Sequence, residues 1–124
     1  MKNPKINVIY RHGILDVKYL EGAVIDISDI QEIYRYGLHQ SGGKPYGIMF
    51  EPLGRYEVTE DAVQYMVDNP HNKDILAKVY VLSSQEATTK TKFHFMFDKP
   101  ELVPMVAKTA IEGQEMIMKI IEKK

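Results

Sequence analysis

Cysteine is absent from the chain. Disulfides, thiolate nucleophiles and cysteine-type zinc sites are thereby excluded, as suits a protein that never meets an oxidising compartment. A charge excess is also missing, with sixteen Lys and Arg against seventeen Asp and Glu and a net charge of -1. Nucleic-acid binders usually carry a basic stripe. Here Lys5, Arg11 and Lys18 are spread along the start, and Lys90 and Lys92 read as part of a solvated face. No nucleic-acid partner is expected. Long apolar runs are lacking too: the stretch through Ile6, Val8 and Ile9 breaks at Arg11, too short for a secretory leader or a bilayer span. The expectation is a cytoplasmic protein with no transmembrane segment. There is no Walker loop and no Gly-x-Gly-x-x-Gly or Gly-x-Ser-x-Gly run, so the common phosphate-cradle and nucleophile-elbow signals are missing.

What is present fits one globular domain over residues 1–124. Apolar residues make up 44% and charged residues 27% of 124 positions, a mix too apolar for disorder. A chain of this length buries roughly two-thirds of its unfolded surface in a single core.

Apolar positions alternate through Ile6, Val8 and Tyr10 and again through Leu15, Val17 and Tyr19, with Arg11, His12 and Gly13 between them. This period of two predicts an opening β-hairpin, followed by an extended piece at Ala23 to Asp26. The period then changes: Ile30, Ile33, Tyr34 and Leu38 predict a helix over 28–40, with Ser28 and Gln31 at capping-box spacing. Ser41, Gly42 and Gly43 stop it, and Pro45 prevents its return. Tyr46 to Phe50 reads as a strand covered on both faces, and Pro52 and Gly54 open a loop.

Thr59 can cap a second helix carrying Glu60 and Asp61 in its first turn and Ala62, Val63, Met66 and Val67 in its buried stripe. Ile75 to Leu82 is the strongest strand pattern. Ser83 and Glu86 place a third helix over 84–97, and Leu102 to Ala107 reads as a last, edge strand because Pro104 interrupts it. Thr109 and Glu112 then open a terminal helix carrying Gly113, Ile117, Ile120 and Ile121. The fold class expected is α/β: an N-terminal hairpin, then alternating helices and strands, giving a mixed sheet of about four or five strands with about four helices.

Four stretches carry a family resemblance: Leu15 to Gly22 (LDVKYLEG), Asp26 to Ile30 (DISDI), Ser41 to Pro45 (SGGKP) and Phe95 to Pro100 (FMFDKP). Together they resemble a group of small bacterial proteins similar in architecture to the SpoIIAA-like branch of the STAS domains, named for sulfate transporters and anti-sigma factor antagonists. The resemblance covers nearly the whole chain. It implies a non-enzymatic regulatory module that binds a protein partner and is switched by phosphorylation at the start of the helix after a central strand. The matching position is Thr59, where Glu57 to Asp61 (EVTED) replaces the usual Asp-Ser-Ser/Thr-Gly setting. A phosphate there gains from the helix N-terminus but is repelled by Glu60 and Asp61.

Candidate chemistry outside that resemblance is sparse. His12, His39, His71 and His94 lie in four segments with no i, i+4 pair, so no metal site and no cofactor is expected. Asp26 with Asp29, and Glu60 with Asp61, occupy first helical turns, where the helix dipole accounts for them. Tyr34, Tyr36, Tyr56 and Tyr65 cannot all be expected to face the core, and surface aromatics favour partner contact. The binding surface expected is therefore the 52–59 loop, with Tyr56 and Thr59, together with Tyr36 and Tyr65, recognising an unidentified protein partner. The exposed strand of the hairpin is a candidate for homodimer formation. A second reading is a small-molecule or lipid-binding domain with Tyr56, Phe93 and Phe97 lining a pocket; a third, an enzyme using Ser84 and His94, ranks below both.

Overall fold

In a computed structural model of the protein, the described residues are 2–68, 73–81 and 105–123. The opening hairpin is formed by β1 (Ile6–Arg11) and β2 (Ile14–Tyr19), antiparallel with Ile9 opposite Asp16 and Arg11 opposite Ile14. Its two-residue turn requires positive φ at both positions, and His12 (53°) and Gly13 (80°) supply it. The chain continues through β3 (Ala23–Ile25), α1 (Ile27–Gln40), β4 (Tyr46–Pro52), β5 (Tyr56–Val58), α2 (Glu60–Asp68), β6 (Ile75–Val81), β7 (Met105–Ala107) and α3 (Ala110–Glu122).

Five strands form the main sheet in the order β1-β2-β4-β6-β7, antiparallel at β1–β2 and parallel elsewhere, while β3 and β5 pair in parallel as a small second sheet. The α/β class and the mixed five-stranded sheet match expectation. Three helices are present among the described residues rather than about four; the helix expected over 84–97 lies outside them. The stretch after Pro52, expected as a loop, contains β5, too short to show a period of its own and held by pairing to β3.

Alternation divides the sheet into two faces. Leu15, Val17 and Tyr19 from β2, and Tyr46, Ile48 and Phe50 from β4, join Ile30, Ile33, Tyr34, Ala62, Val63 and Met66 of α1 and α2 in the larger core. Its centre is aromatic: Phe50 stacks on Tyr80 at 4.7 Å and Tyr19 lies 5.4 Å from Tyr56. Full burial of each such side chain contributes roughly 1.5 to 3 kcal/mol. On the opposite face Ile14, Met49, Ala77, Val79, Val81 and Ala107 pack around Ile117 of α3. That helix lies close to β4 because Gly47 has no side chain there; a Cβ at 47 would overlap Ile117 Cγ2.

The caps correct one expectation. The cap of helix α1 lies two residues before the Ser28/Gln31 box predicted for it: Asp26 is the cap, accepting from the Asp29 amide at 3.0 Å, and the Asp29 carboxylate accepts from the Asp26 amide at 3.0 Å. Asp29 is buried and also holds Asn3 Nδ2 at 2.8 Å and Lys5 Nζ at 2.5 Å. The Lys5 pKa is raised by this bond to Asp29. The Asp26 carboxyl is held at about 2 by hydrogen bonds from the Ser28 hydroxyl and the Asp29 amide. At α3, Thr109 caps by accepting from the Glu112 amide at 3.2 Å, as the spacing predicts.

Candidate functional site

Thr59 sits where the sequence places it, at the N-terminus of α2. Its amide donates to Ile25 O at 2.9 Å, its hydroxyl donates to Asp61 Oδ1, and the same oxygen accepts from the Ala62 amide at 3.3 Å. The tyrosine surface does not form around it. Tyr56 is only 4% exposed, held inside the core beside Tyr19, and Tyr34 is 2% exposed. Tyr36 and Tyr65 are half-buried and pack against the same core, Tyr65 stacking on Tyr34 at 6.4 Å. Tyr34 and Tyr56 are enclosed by the core, while Tyr36 and Tyr65 rest on it and keep part of their surface open. The loop presents Leu53 instead, 56% exposed. Phe93, Phe97, Ser84, His71 and His94 lie outside the described residues. Among the described residues no three His, Asp or Glu side chains converge as a metal site, and no helix is long and apolar enough to cross a membrane.

The structure opens a cleft on the other side of the molecule. Helix α3 packs on β4, β6 and β7, so the hairpin extends past its edge. Ile9 and Arg11 of β1, His12 of the turn and Ile14 and Asp16 of β2 form one wall and floor; Gln114 and Met118 of α3 form the other wall, enclosing about 360 Å³. Period two explains the composition: Val8 and Tyr10 pack against the large core, so Ile9 and Arg11 turn to the α3 side.

Asp16 is the unusual member. It is 8% exposed, in mid-strand, and its Oδ1 is buried with no hydrogen-bond partner among the described residues. The neighbouring strand contributes Glu51, whose Oε2 is likewise buried and unpartnered. Burial pushes the Asp16 carboxyl up to about 7, and a hydrogen bond and repulsion from Glu51 act in the same direction, while Lys18 and Arg11 pull it down. Two close carboxyls that cannot both ionise cheaply hold a proton between them. Near neutral pH Asp16 and Glu51 therefore form a proton-sharing acid pair, and Asp16 lines the cleft beside Arg11 and His12.

Sequence patterning did not single this pair out. Alternation placed Leu15, Val17 and Tyr19 in the core and left Asp16 and Lys18 on the opposite side, the position of ordinary solvent-facing residues. The available signal was an acid within the strand pattern Ile14 to Leu20, Asp16, and another directly after the apolar run Tyr46 to Phe50, Glu51.

No curated protein and no solved structure matches this chain. A family model described as "Domain of unknown function (DUF7793)" matches residues 8–117. That span holds the hairpin from Val8 onward, the other described strands, α1, α2 and the first half of α3, and the chain accordingly belongs to the DUF7793 family.

Proposed function

We propose that this domain is a non-catalytic regulatory module of the STAS type that takes a small molecule in the cleft between the hairpin and α3. One observation carries the reading: Asp16, a mid-strand carboxyl only 8% exposed, lines an open cleft together with Arg11 and His12. Small-molecule sites combine apolar walls with a few convergent polar groups, and here Ile9, Ile14 and Met118 stand beside Arg11, His12, Asp16 and Gln114. A polar floor of this kind suits a compact polar molecule better than a lipid. The order of hairpin, parallel strands and helices supports the STAS-type part of the reading, as does Thr59 capping the helix that follows β4 and β5. In that scheme the α2 end meets a protein partner and the cleft receives the small-molecule signal.

Native mass spectrometry of the protein isolated from its own cells tests this. Wild type should carry a small-molecule adduct, and Asp16→Asn and the cleft-filling Met118→Trp should each lose it. A bare wild type, or an adduct retained by both variants, overturns the assignment.

A further inference from the structure

The two edges of the main sheet are unequal. Strand β7 is three residues long, whereas β1 runs six residues with no break in its register against β2. Open edges are usually blunted by shortness, a bulge, proline or a charge; from Ile6 to Tyr10, β1 has none of these. The two-residue turn makes Arg11 and Ile14 a hydrogen-bonded pair, so alternation points the amides and carbonyls of Ile9 and Asn7 at β2. The bond from the Leu20 amide to Lys5 O continues that row. Val8 and Tyr10 therefore turn both backbone groups outward, and among the described residues neither has a partner on that side. Ile6 differs: its amide already donates to Asn3 O, which leaves only its carbonyl. Ile9, midway between Val8 and Tyr10, keeps 38% of its surface exposed.

We propose that β1 is a self-association edge, pairing antiparallel with β1 of a second copy across a twofold axis at Ile9. The free groups set the register. Val8 lies opposite the partner's Tyr10, and Tyr10 opposite the partner's Val8, each pair exchanging both backbone bonds, about four in all. Ile9 meets the partner's Ile9 in a non-hydrogen-bonded pair, the closest side-chain approach in an antiparallel ladder, with Cα atoms about 4.5 Å apart. Arg11 falls opposite the partner's Asn7. A register centred on Val8 calls on the Ile6 amide, already bonded, and sets Lys5 opposite the partner's Arg11, like charges that repel. One centred on Tyr10 shortens the ladder and sets Ile9 against the partner's Arg11. A second copy fits because the edge is its own complement: the outward groups are symmetric about Ile9, and one exposed apolar side chain faces itself there. The operation joins two five-stranded sheets into one with their α3 sides together. Ile9 also lines the cleft, so the two clefts adjoin at the axis, although the pairing stands whether or not the cleft takes a ligand. A strand pair this short belongs to the small, transient class of interfaces, so the association is concentration-dependent.

Sedimentation velocity of the full chain, from low micromolar to near-millimolar concentration, tests the pairing. The weight-average mass should rise from 14.3 kDa toward twice that value. Ile9→Lys sets two ammonium groups face to face and should hold the mass at that of the monomer throughout, with an unchanged circular dichroism spectrum. Because the chain has no cysteine, single cysteines report the register. Ile9→Cys should form a covalent dimer under mild oxidation, since a Cα separation of about 4.5 Å lies within the reach of a disulfide. Asn7→Cys alone should stay uncrosslinked, and mixed with Arg11→Cys it should give the mixed dimer. A wild type that stays monomeric, an Ile9→Lys variant that still doubles its mass, or Asn7→Cys crosslinking as fast as Ile9→Cys overturns the proposal. So does crosslinking that requires Ile9→Cys to be mixed with Asn7→Cys, the mark of the Val8 register.

Discussion

Replacing Asp16 by Asn should make the protein more stable at pH 8 and change little at pH 4. The folded carboxyl titrates at about 7 instead of its usual 3.8 because it is buried beside Glu51. Between those values the folded chain keeps a proton that the unfolded chain has released. Its contribution to stability is therefore complete below pH 4, falls as pH rises, and is exhausted above pH 7. At 1.36 kcal/mol per pH unit, an interval of about three units makes the cost of ionising Asp16 in the folded state about 4 kcal/mol, an upper bound because Glu51 shares the proton. Asn keeps the shape and offers an N–H to Glu51 without a charge. Urea denaturation followed by circular dichroism at pH 5, 6, 7 and 8 should show wild type losing stability relative to Asp16→Asn. The gap should reach about 2 to 4 kcal/mol at pH 8. Since every other titrating group is common to both proteins, parallel curves would refute the buried-acid account.

Three structural changes should act elsewhere. Asp29→Ala removes the reciprocal cap of α1 and the partner of Lys5 and Asn3, and should cost about 1 to 3 kcal/mol in denaturant titration. Gly47→Ala drives a methyl into Ile117 Cγ2; the overpacking should cost about 1 to 3 kcal/mol and, by displacing α3, weaken binding in the cleft, read as loss of the adduct in native mass spectrometry. Thr59→Ala removes one of the two acceptors of the Ala62 amide, the other being Asp61 Oδ1, and should lower stability by about 0.5 to 1 kcal/mol, while leaving the cleft's affinity for its ligand unchanged.

Where local pattern and tertiary packing agree, the architecture could be read from sequence. The alternation from Ile6 to Tyr19 fixes the hairpin, the His12-Gly13 turn closes it, and the apolar spacings beginning near Ile30, Ala62 and Gly113 mark the three helices found. The differences arise from partners distant in the chain. Strand β5 is three residues long and exists through Ala23 to Ile25, some 33 positions earlier. The cap of α1 moved to Asp26 because Asp29 also meets Asn3 and Lys5. Tyr56 went inward because pairing of β5 with β3 sets it beside Tyr19 in the core. Asp16 was the hardest to see, since a strand residue opposite the core is exposed or buried according to where a helix almost a hundred residues later comes to rest. Helix α3 meets the hairpin through Ile121 beside Gly13 and leaves an opening between Gln114, Met118 and the two strands, which creates the cleft that Asp16 lines.

Carbon-13 NMR titration of the Asp16 side-chain carboxyl in the ligand-free protein tests the central claim most directly. A midpoint near pH 7 is the result this structure predicts. A midpoint in the ordinary range near pH 4 would mean that Asp16 is solvated or already paired, and would contradict the site.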